Sequence, residues 1–200
     1  MRIIDNFFAD PYRIRKAALE SKNWYSDSSW PGYRHLVPEG IVKDYVQKIG
    51  SVLNEEVYLS DLKFQYVDKS WGTGACHCDH EKYTTLTFLS PSPPSNSGIE
   101  IYSETHGHDS LRGRGRKIDL FESDKRRYYT SDRNPIQRFF FEKKIKQMNS
   151  LFEDPCIVSN VFNRTVIFDS IRLHRAQNFF GNSVRDSRLT MIGFFLHDSV

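Results

Sequence analysis

The chain has 200 residues, of which 38% are hydrophobic and 14% aromatic, a composition typical of one globular domain and unlike that of a disordered chain. No apolar run approaches the roughly 18 residues of a membrane span, and the first residues contain no apolar stretch of signal-peptide length. Three cysteines are too few for a disulfide framework. We therefore expect no membrane association and a location in the reducing cytoplasm.

The net charge of +3 is unevenly distributed. Residues 111–150 contain twelve Lys and Arg against five Asp and Glu, whereas the remaining residues have an acidic excess. Cationic and aromatic residues alternate in this segment, as they do on surfaces that bind single-stranded nucleic acid. The segment indicates an anionic partner, with nucleic acid as one possibility, but such a charge run is also typical of a solvated loop.

Residues 1–56 predict an N-terminal helical support. Asp10 and Pro11 are suited to the N-cap and first turn of a helix, and apolar residues recur at helical spacing after Gly40. The expected elements are a short strand (RIIDNFF), a helix from Pro11 to about Lys22, a turn-rich stretch (SSWPGYRHL) and an amphipathic helix over residues 40–54.

Residues 57–200 have the pattern of a β-rich core. Their strands are rich in β-branched and aromatic residues and are bounded by Pro, Gly, Ser and Asn, which favours a sandwich or barrel. The predicted strands are VYLSDLKFQYVD, YTTLTFLS, GIEIY, CIVSNVFNRTVIFD and RLTMIGFFL. A basic insertion at about residues 103–155 interrupts them, with a loop followed by a helix that begins near Pro135. Its position predicts a mobile flap near the mouth of the barrel. We interpret residues 1–200 as a single domain.

Residues 74–83 (GACHCDHEKY) concentrate potential metal ligands. If the segment is extended, His77 and Asp79 project to one side, while Cys76 and Cys78 project to the other. A zinc site is an alternative, with further ligands from His106 and His108, although Cys156 has no neighbouring ligand residue to form a second zinc-binding pair. A redox-active thiol pair has no supporting context, so the two cysteines are interpreted as packing residues.

Two imidazoles and one carboxylate on one face of a metal form the facial triad of non-haem Fe(II) oxygenases. A second histidine, His174, follows the predicted strand Arg164–Asp169 and a turn. Fourteen residues later Arg188 opens another strand and shares one face with Thr190. An arginine beside a hydroxyl group can bind a carboxylate through its planar fork.

This order of motifs resembles the Fe(II)/2-oxoglutarate-dependent oxygenases, which have a double-stranded β-helix (jelly-roll) core. Within that superfamily the chain resembles the prolyl-hydroxylase-like branch, including small bacterial and phage members, from roughly Phe64 to Phe195. The resemblance rests on the stretches LKFQYVDKSWGTGACHCDH, TLTFLSPSPPSNSGIEIY and FNRTVIFDSIRLHRA. The chain departs from the branch by using Arg instead of Lys for the carboxylate, and Ser97-Gly98 instead of two glycines.

The resemblance implies a mostly β protein with flanking helices and specific roles for six residues. His77, Asp79 and His174 would bind Fe(II) and form the catalytic centre. Arg188 would pair with the distal carboxylate of 2-oxoglutarate, with Thr190 and Tyr66 beside the co-substrate. The implied activity is hydroxylation of a C–H bond in an unidentified substrate.

Two other functions remain open from the sequence. One is a nucleic-acid-binding or nucleic-acid-modifying protein, based on the basic segment. The other is a zinc-binding or metal-free jelly roll without oxygenase activity.

Overall fold

The computed structural model of the chain describes residues 1–26, 30–105 and 135–196. Within these residues the elements are β1 (Arg2–Ile4), α1 (Pro11–Glu20), β2 (Tyr33–Leu36), α2 (Glu39–Leu53), β3 (Tyr58–Val67), β4 (Tyr83–Phe88), β5 (Ile99–Thr105), α3 (Pro135–Asn149), β6 (Cys156–Val158), β7 (Thr165–Asp169), β8 (Arg172–Ala176) and β9 (Arg188–Leu196). None of these helices combines the length and the apolar character that crossing a membrane requires.

The strands form two antiparallel sheets. The large sheet has six strands in the order β1-β7-β4-β9-β3-β2, and the small sheet has three in the order β6-β5-β8. Apolar side chains from both sheets meet in one buried cluster, which includes Phe88 and Val166 from the large sheet and Ile99 and Ile101 from the small sheet. The prediction of a mostly β protein with a jelly-roll core is therefore confirmed.

The two N-terminal helices pack on the outer face of the large sheet. Helix α1 begins as the sequence predicts, because the Asp10 side chain accepts a hydrogen bond from the Arg13 N–H at 3.0 Å. The helices bury apolar side chains such as Ile14 and Tyr45 against Met191 and other residues of the sheet. Side chains alternate along a strand, so the neighbouring positions of β9 face the interior.

Helix α3 covers the outer face of the small sheet. Phe141, Ile145 and Met148 are buried in a cluster with Tyr102 of β5 and Leu173 of β8. Three apolar side chains of this helix are thus packed in a second core, whereas Ile136, Phe139 and Phe140 are exposed. The mobility of the insertion stays a prediction. The basic motif RGRGRK, at residues 112–117, lies outside the described residues, as do His106 and His108.

Two strands were not predicted from the sequence. Strand β2 lies in the stretch interpreted as turn-rich, and it pairs with β3, with Arg34 opposite Gln65. Strand β8 follows the expected turn and contains His174, and it pairs with β5, with His174 opposite Ile101. Both are short and rich in polar residues, so their strand character comes from pairing with a longer neighbour.

Candidate metal centre

Three predicted ligands converge in the structure. His77, Asp79 and His174 offer ligand atoms that all lie within 4.8 Å of one another. The Asp79 carboxylate is 3.9 Å from His77 Nε2 and 3.4 Å from His174 Nε2. Within the described parts of the chain, these three residues are the one group of His, Cys, Asp and Glu with such a geometry.

Backbone pairing brings together ligands that are far apart in the sequence. The His77 N–H donates to the His174 carbonyl at 3.0 Å, and the His174 N–H donates to the His77 carbonyl at 2.8 Å. The Asp79 N–H donates to the Ser170 carbonyl at 2.9 Å, in the turn between β7 and β8. The ligand segment is therefore held against β8 as a short strand would be.

The second nitrogen of each histidine has a backbone partner. His77 Nδ1 lies 2.9 Å from the Ala75 carbonyl oxygen, and His174 Nδ1 lies 2.9 Å from the Arg172 carbonyl oxygen. These contacts favour the tautomer with its proton on Nδ1, which leaves Nε2 as the ligand atom. Both rings are thus oriented before any metal binds.

The Asp79 carboxylate is buried and strongly favoured in its ionised form. Burial alone would raise the pKa of this carboxyl group, but attraction to His174 and His77 outweighs it and holds the pKa well below its usual range. Thr84 adds a hydrogen bond, because its hydroxyl donates to Asp79 Oδ2 at 2.7 Å. An ionised carboxylate is the form that binds a cation.

The donor set fits a divalent transition metal with open coordination positions. Ligands about 2.1 Å from one metal lie roughly 3 Å apart, so small side-chain rotations from the observed separations would bring all three to one ion. Two imidazoles and one carboxylate suit iron and leave positions for other ligands. The three free cysteines do not join this group, because Cys76 and Cys78 pack in the cluster under α3 and Cys156 is exposed on β6.

A cavity of about 670 Å³, counted with its open mouth, lies beside the three ligands. Its wall is mostly apolar and includes two arginines from different strands. The lining residues include Trp30, Arg34, Gln65, Ile99, Phe168 and Arg188.

Arg188 is a buried cation at this cavity. Its Nε donates to the Ser97 carbonyl at 3.3 Å, and its guanidinium lies 5.6 Å from the ring centre of Phe88. Burial lowers the pKa of Arg188 to about 10, so the side chain stays charged at neutral pH. No Asp or Glu of residues 1–26, 30–105 or 135–196 forms an ion pair with it. The geometry is suited to receiving an anion from the cavity.

Thr190 and Tyr66 occupy different environments. Thr190 is fully buried on the same strand face as Arg188, and its hydroxyl donates to the Gln65 carbonyl at 3.3 Å. The structure does not bring Tyr66 to the cavity. The Tyr66 ring packs against Trp24 and Tyr33 on the helix-facing side of the sheet, and its neighbour Gln65 lines the cavity instead.

Several residues that support the site belong to no sequence motif and were not predicted. Thr84 and Ser170 form a hydroxyl pair at 2.9 Å beside Asp79. Asn149, at the end of α3, accepts a hydrogen bond from the Cys76 N–H at 2.9 Å and donates one to the Gly74 carbonyl at 2.9 Å. Polar residues at β-strand and helix ends are common, so their spacing alone does not indicate such roles.

Comparison with solved structures places this fold among known enzymes. HygX from Streptomyces hygroscopicus, solved with nickel and 2-oxoglutarate bound, is similar with a TM-score of 0.63 and 10% identity, over 98% of this chain and 82% of that chain. A Pseudomonas putida prolyl-4-hydroxylase gives a TM-score of 0.53 and 12% identity, over 99% and 92%. An oxidoreductase of the 2OG-Fe(II) oxygenase family from Burkholderia pseudomallei gives 0.55 and 9%, over 99% and 85%.

These similarities show that the chain has the fold of the Fe(II)/2-oxoglutarate oxygenases, as its motifs indicated. No curated protein is significantly similar to it in sequence. The sequence model of a protein family of unknown function, DUF6445, matches residues 1–195, and the chain therefore belongs to that family.

Proposed function

We propose that the protein is an Fe(II)- and 2-oxoglutarate-dependent dioxygenase that hydroxylates a C–H bond of its substrate. The observation that carries the proposal is the convergence of His77, Asp79 and His174 beside a cavity that also contains a buried arginine. The fold similarity to oxygenases, one of them solved with nickel and 2-oxoglutarate, supports it.

In this proposal the three ligands hold the iron on one face. Their backbone and Thr84 contacts orient both imidazoles and keep the Asp79 carboxylate ionised. Such outer contacts typically contribute ten- to hundredfold to metal affinity or activity. The wall next to the ligands is apolar, with Ile99, Phe168 and Ile192 among its members, so it would exclude water from the reacting centre.

Arg188 would bind the distal carboxylate of 2-oxoglutarate. The planar guanidinium can donate two parallel hydrogen bonds, and it is already buried and charged. Bound iron and co-substrate would supply the oxidising chemistry: 2-oxoglutarate and O₂ are consumed, succinate and CO₂ are released, and one oxygen atom enters the substrate C–H bond.

The test is anaerobic addition of Fe(II) and 2-oxoglutarate to the purified protein. We expect the weak visible charge-transfer band of a 2-oxoglutarate–iron complex, followed by succinate formation when O₂ is admitted. Zn(II) in place of Fe(II) is the control and should give neither signal. Tight Fe(II) binding without the band or succinate would contradict the co-substrate assignment, and failure to bind Fe(II) would contradict the proposal entirely.

A further inference from the structure

Three buried side chains form a chain of hydrogen bonds that ends at the candidate metal centre. The Thr84 hydroxyl oxygen lies 2.7 Å from Asp79 Oδ2 and 2.9 Å from the Ser170 hydroxyl oxygen. Thr84 is 1% exposed and Ser170 is fully buried, so bulk water does not compete for these hydroxyl groups. The contacts therefore persist as a fixed part of the interior.

The direction of these hydrogen bonds follows from the charge of Asp79. An ionised carboxylate has no proton and can only accept, so Thr84 donates its single hydroxyl proton to Asp79. The Thr84 oxygen then accepts from Ser170, whose hydroxyl is the donor of the second hydrogen bond. A hydroxyl that accepts a hydrogen bond becomes a stronger donor, so Ser170 strengthens the contact between Thr84 and the carboxylate.

Ser170 also holds the ligand segment through its backbone. Its carbonyl accepts a hydrogen bond from the Asp79 N–H at 2.9 Å, and its own N–H donates to the Lys82 carbonyl at 3.1 Å. Ser170 lies in the turn between β7 and β8, four residues before His174. One turn residue thus connects the segment that carries Asp79 to the strand that carries His174.

We propose that Ser170 is a positioning residue of the metal centre, which fixes Asp79 beside His174 through its carbonyl and through a hydroxyl relay by way of Thr84. A carboxylate whose orientation is already fixed loses less side-chain freedom when a metal binds, so the affinity is higher. The role in metal binding rests on the proposed function, whereas the relay itself is present in the metal-free protein.

Titration with Co(II) tests this role without turnover. Co(II) takes nitrogen and oxygen ligands as Fe(II) does, and its visible absorption bands report how the metal is coordinated. Thr84→Val replaces the hydroxyl by a methyl group and interrupts the relay. We expect Co(II) affinity to fall about ten- to a hundredfold, with an altered Co(II) spectrum. Thr84→Ser keeps the hydroxyl and should retain most of the affinity and the wild-type spectrum.

Two further variants separate positioning from stability. Ser170→Ala keeps the backbone carbonyl, and it should lower Co(II) affinity about two- to tenfold, the typical contribution of one neutral hydrogen bond. Thr85→Val is the matched control, because fully buried Thr85 projects to the other face of β4 and donates to the Gly193 carbonyl at 3.1 Å. That variant should lose stability and bind Co(II) as the wild-type protein does.

A double variant tests whether Ser170 acts through Thr84. Adding Ser170→Ala to Thr84→Val should then lower Co(II) affinity no further. It should also lower the free energy of unfolding of the metal-free protein no further, as measured by urea unfolding with a chelator present. This second measurement requires no metal.

Three outcomes would overturn the proposal: unchanged Co(II) affinity in Ser170→Ala, equal losses in Thr84→Ser and Thr84→Val, or additive effects of Thr84→Val and Ser170→Ala. Ser170→Ala, the milder replacement, keeps the test decisive if Thr84→Val does not fold. A wild-type protein that binds no Co(II) would contradict the proposed function, and the metal-free unfolding measurements would still decide whether the relay exists.

Discussion

Replacement of Asn149 by Ala should destabilise the protein and weaken its metal binding together. The Asn149 side chain is the hydrogen-bond partner of the Cys76 N–H and the Gly74 carbonyl, each at 2.9 Å. Asn149 is buried at 7% exposure, so its removal takes one buried hydrogen bond from each of these two backbone groups. Each such loss costs about 1–3 kcal/mol, and we expect the free energy of unfolding to fall by about 2–6 kcal/mol in total.

The same two hydrogen bonds fix the backbone that carries His77. Cys76 directly precedes His77, and the Gly74 Cα is so close to β8 that an added Cβ would lie 2.5 Å from the Ala176 carbonyl oxygen. Loosening this segment should allow His77 to leave its position opposite Asp79. We expect a roughly tenfold loss of Fe(II) affinity, the lower end of what such outer contacts contribute.

Urea unfolding and anaerobic metal titration measure the two effects. Asn178→Ala is the matched control, because the exposed Asn178 side chain makes a single hydrogen bond within the described residues, to the Asn96 carbonyl. That variant should lose less than about 1 kcal/mol. Unchanged stability in Asn149→Ala would refute the role of these hydrogen bonds. Reduced stability with unchanged Fe(II) affinity in the folded protein would show that α3 supports the fold without positioning His77.

Three further predictions concern single side chains. Arg188→Met should raise the apparent dissociation constant of 2-oxoglutarate roughly ten- to a hundredfold and leave Fe(II) affinity nearly unchanged, because a lost hydrogen bond to a charged group costs about 1.5–3 kcal/mol. Arg185→Met, at an exposed arginine, is the control, and equal effects of the two replacements would contradict the assignment of Arg188. Asp79→Ala should abolish Fe(II) binding while Cys78→Ser retains it; metal loss in Cys78→Ser would favour the zinc alternative. Burial raises the pKa of Tyr45 to about 12, whereas the same phenol in the unfolded chain ionises near pH 10. The contribution of Tyr45 to the free energy of unfolding should therefore be complete below about pH 10 and should decline as the pH rises to about 12. Tyr45→Phe should flatten that decline in unfolding free energy, and an unchanged slope would exclude the explanation.

The metal ligands were predictable because an H-x-D pair followed by a distant histidine resembles the order of the ligands in the Fe(II)/2-oxoglutarate oxygenases. An H-x-D pair needs an extended backbone to place both side chains on one face, and the downstream strands offered one histidine and one arginine at suitable positions. The structure brings His77, Asp79 and His174 together in that way. Alternation also explains why Cys76 and Cys78 turn away into the cluster under α3.

The cavity wall was less predictable because both faces of β3 are buried. Tyr66 packs toward the helices and Gln65 toward the cavity, and either orientation satisfies an amphipathic pattern when neither face meets water. Arg34 lies on a short strand defined by its pairing with β3. Local sequence patterns contain no information about such long-range partners, and the same holds for the contact between Asn149 and the ligand segment.

The central claim is tested most directly by the crystal structure of an anaerobic complex with Mn(II) and 2-oxoglutarate, in which anomalous scattering locates the metal. We expect one anomalous peak at bonding distance from His77, Asp79 and His174. We also expect the distal carboxylate of 2-oxoglutarate to lie against Arg188. A metal bound elsewhere, or a distal carboxylate away from Arg188, would contradict the proposed function.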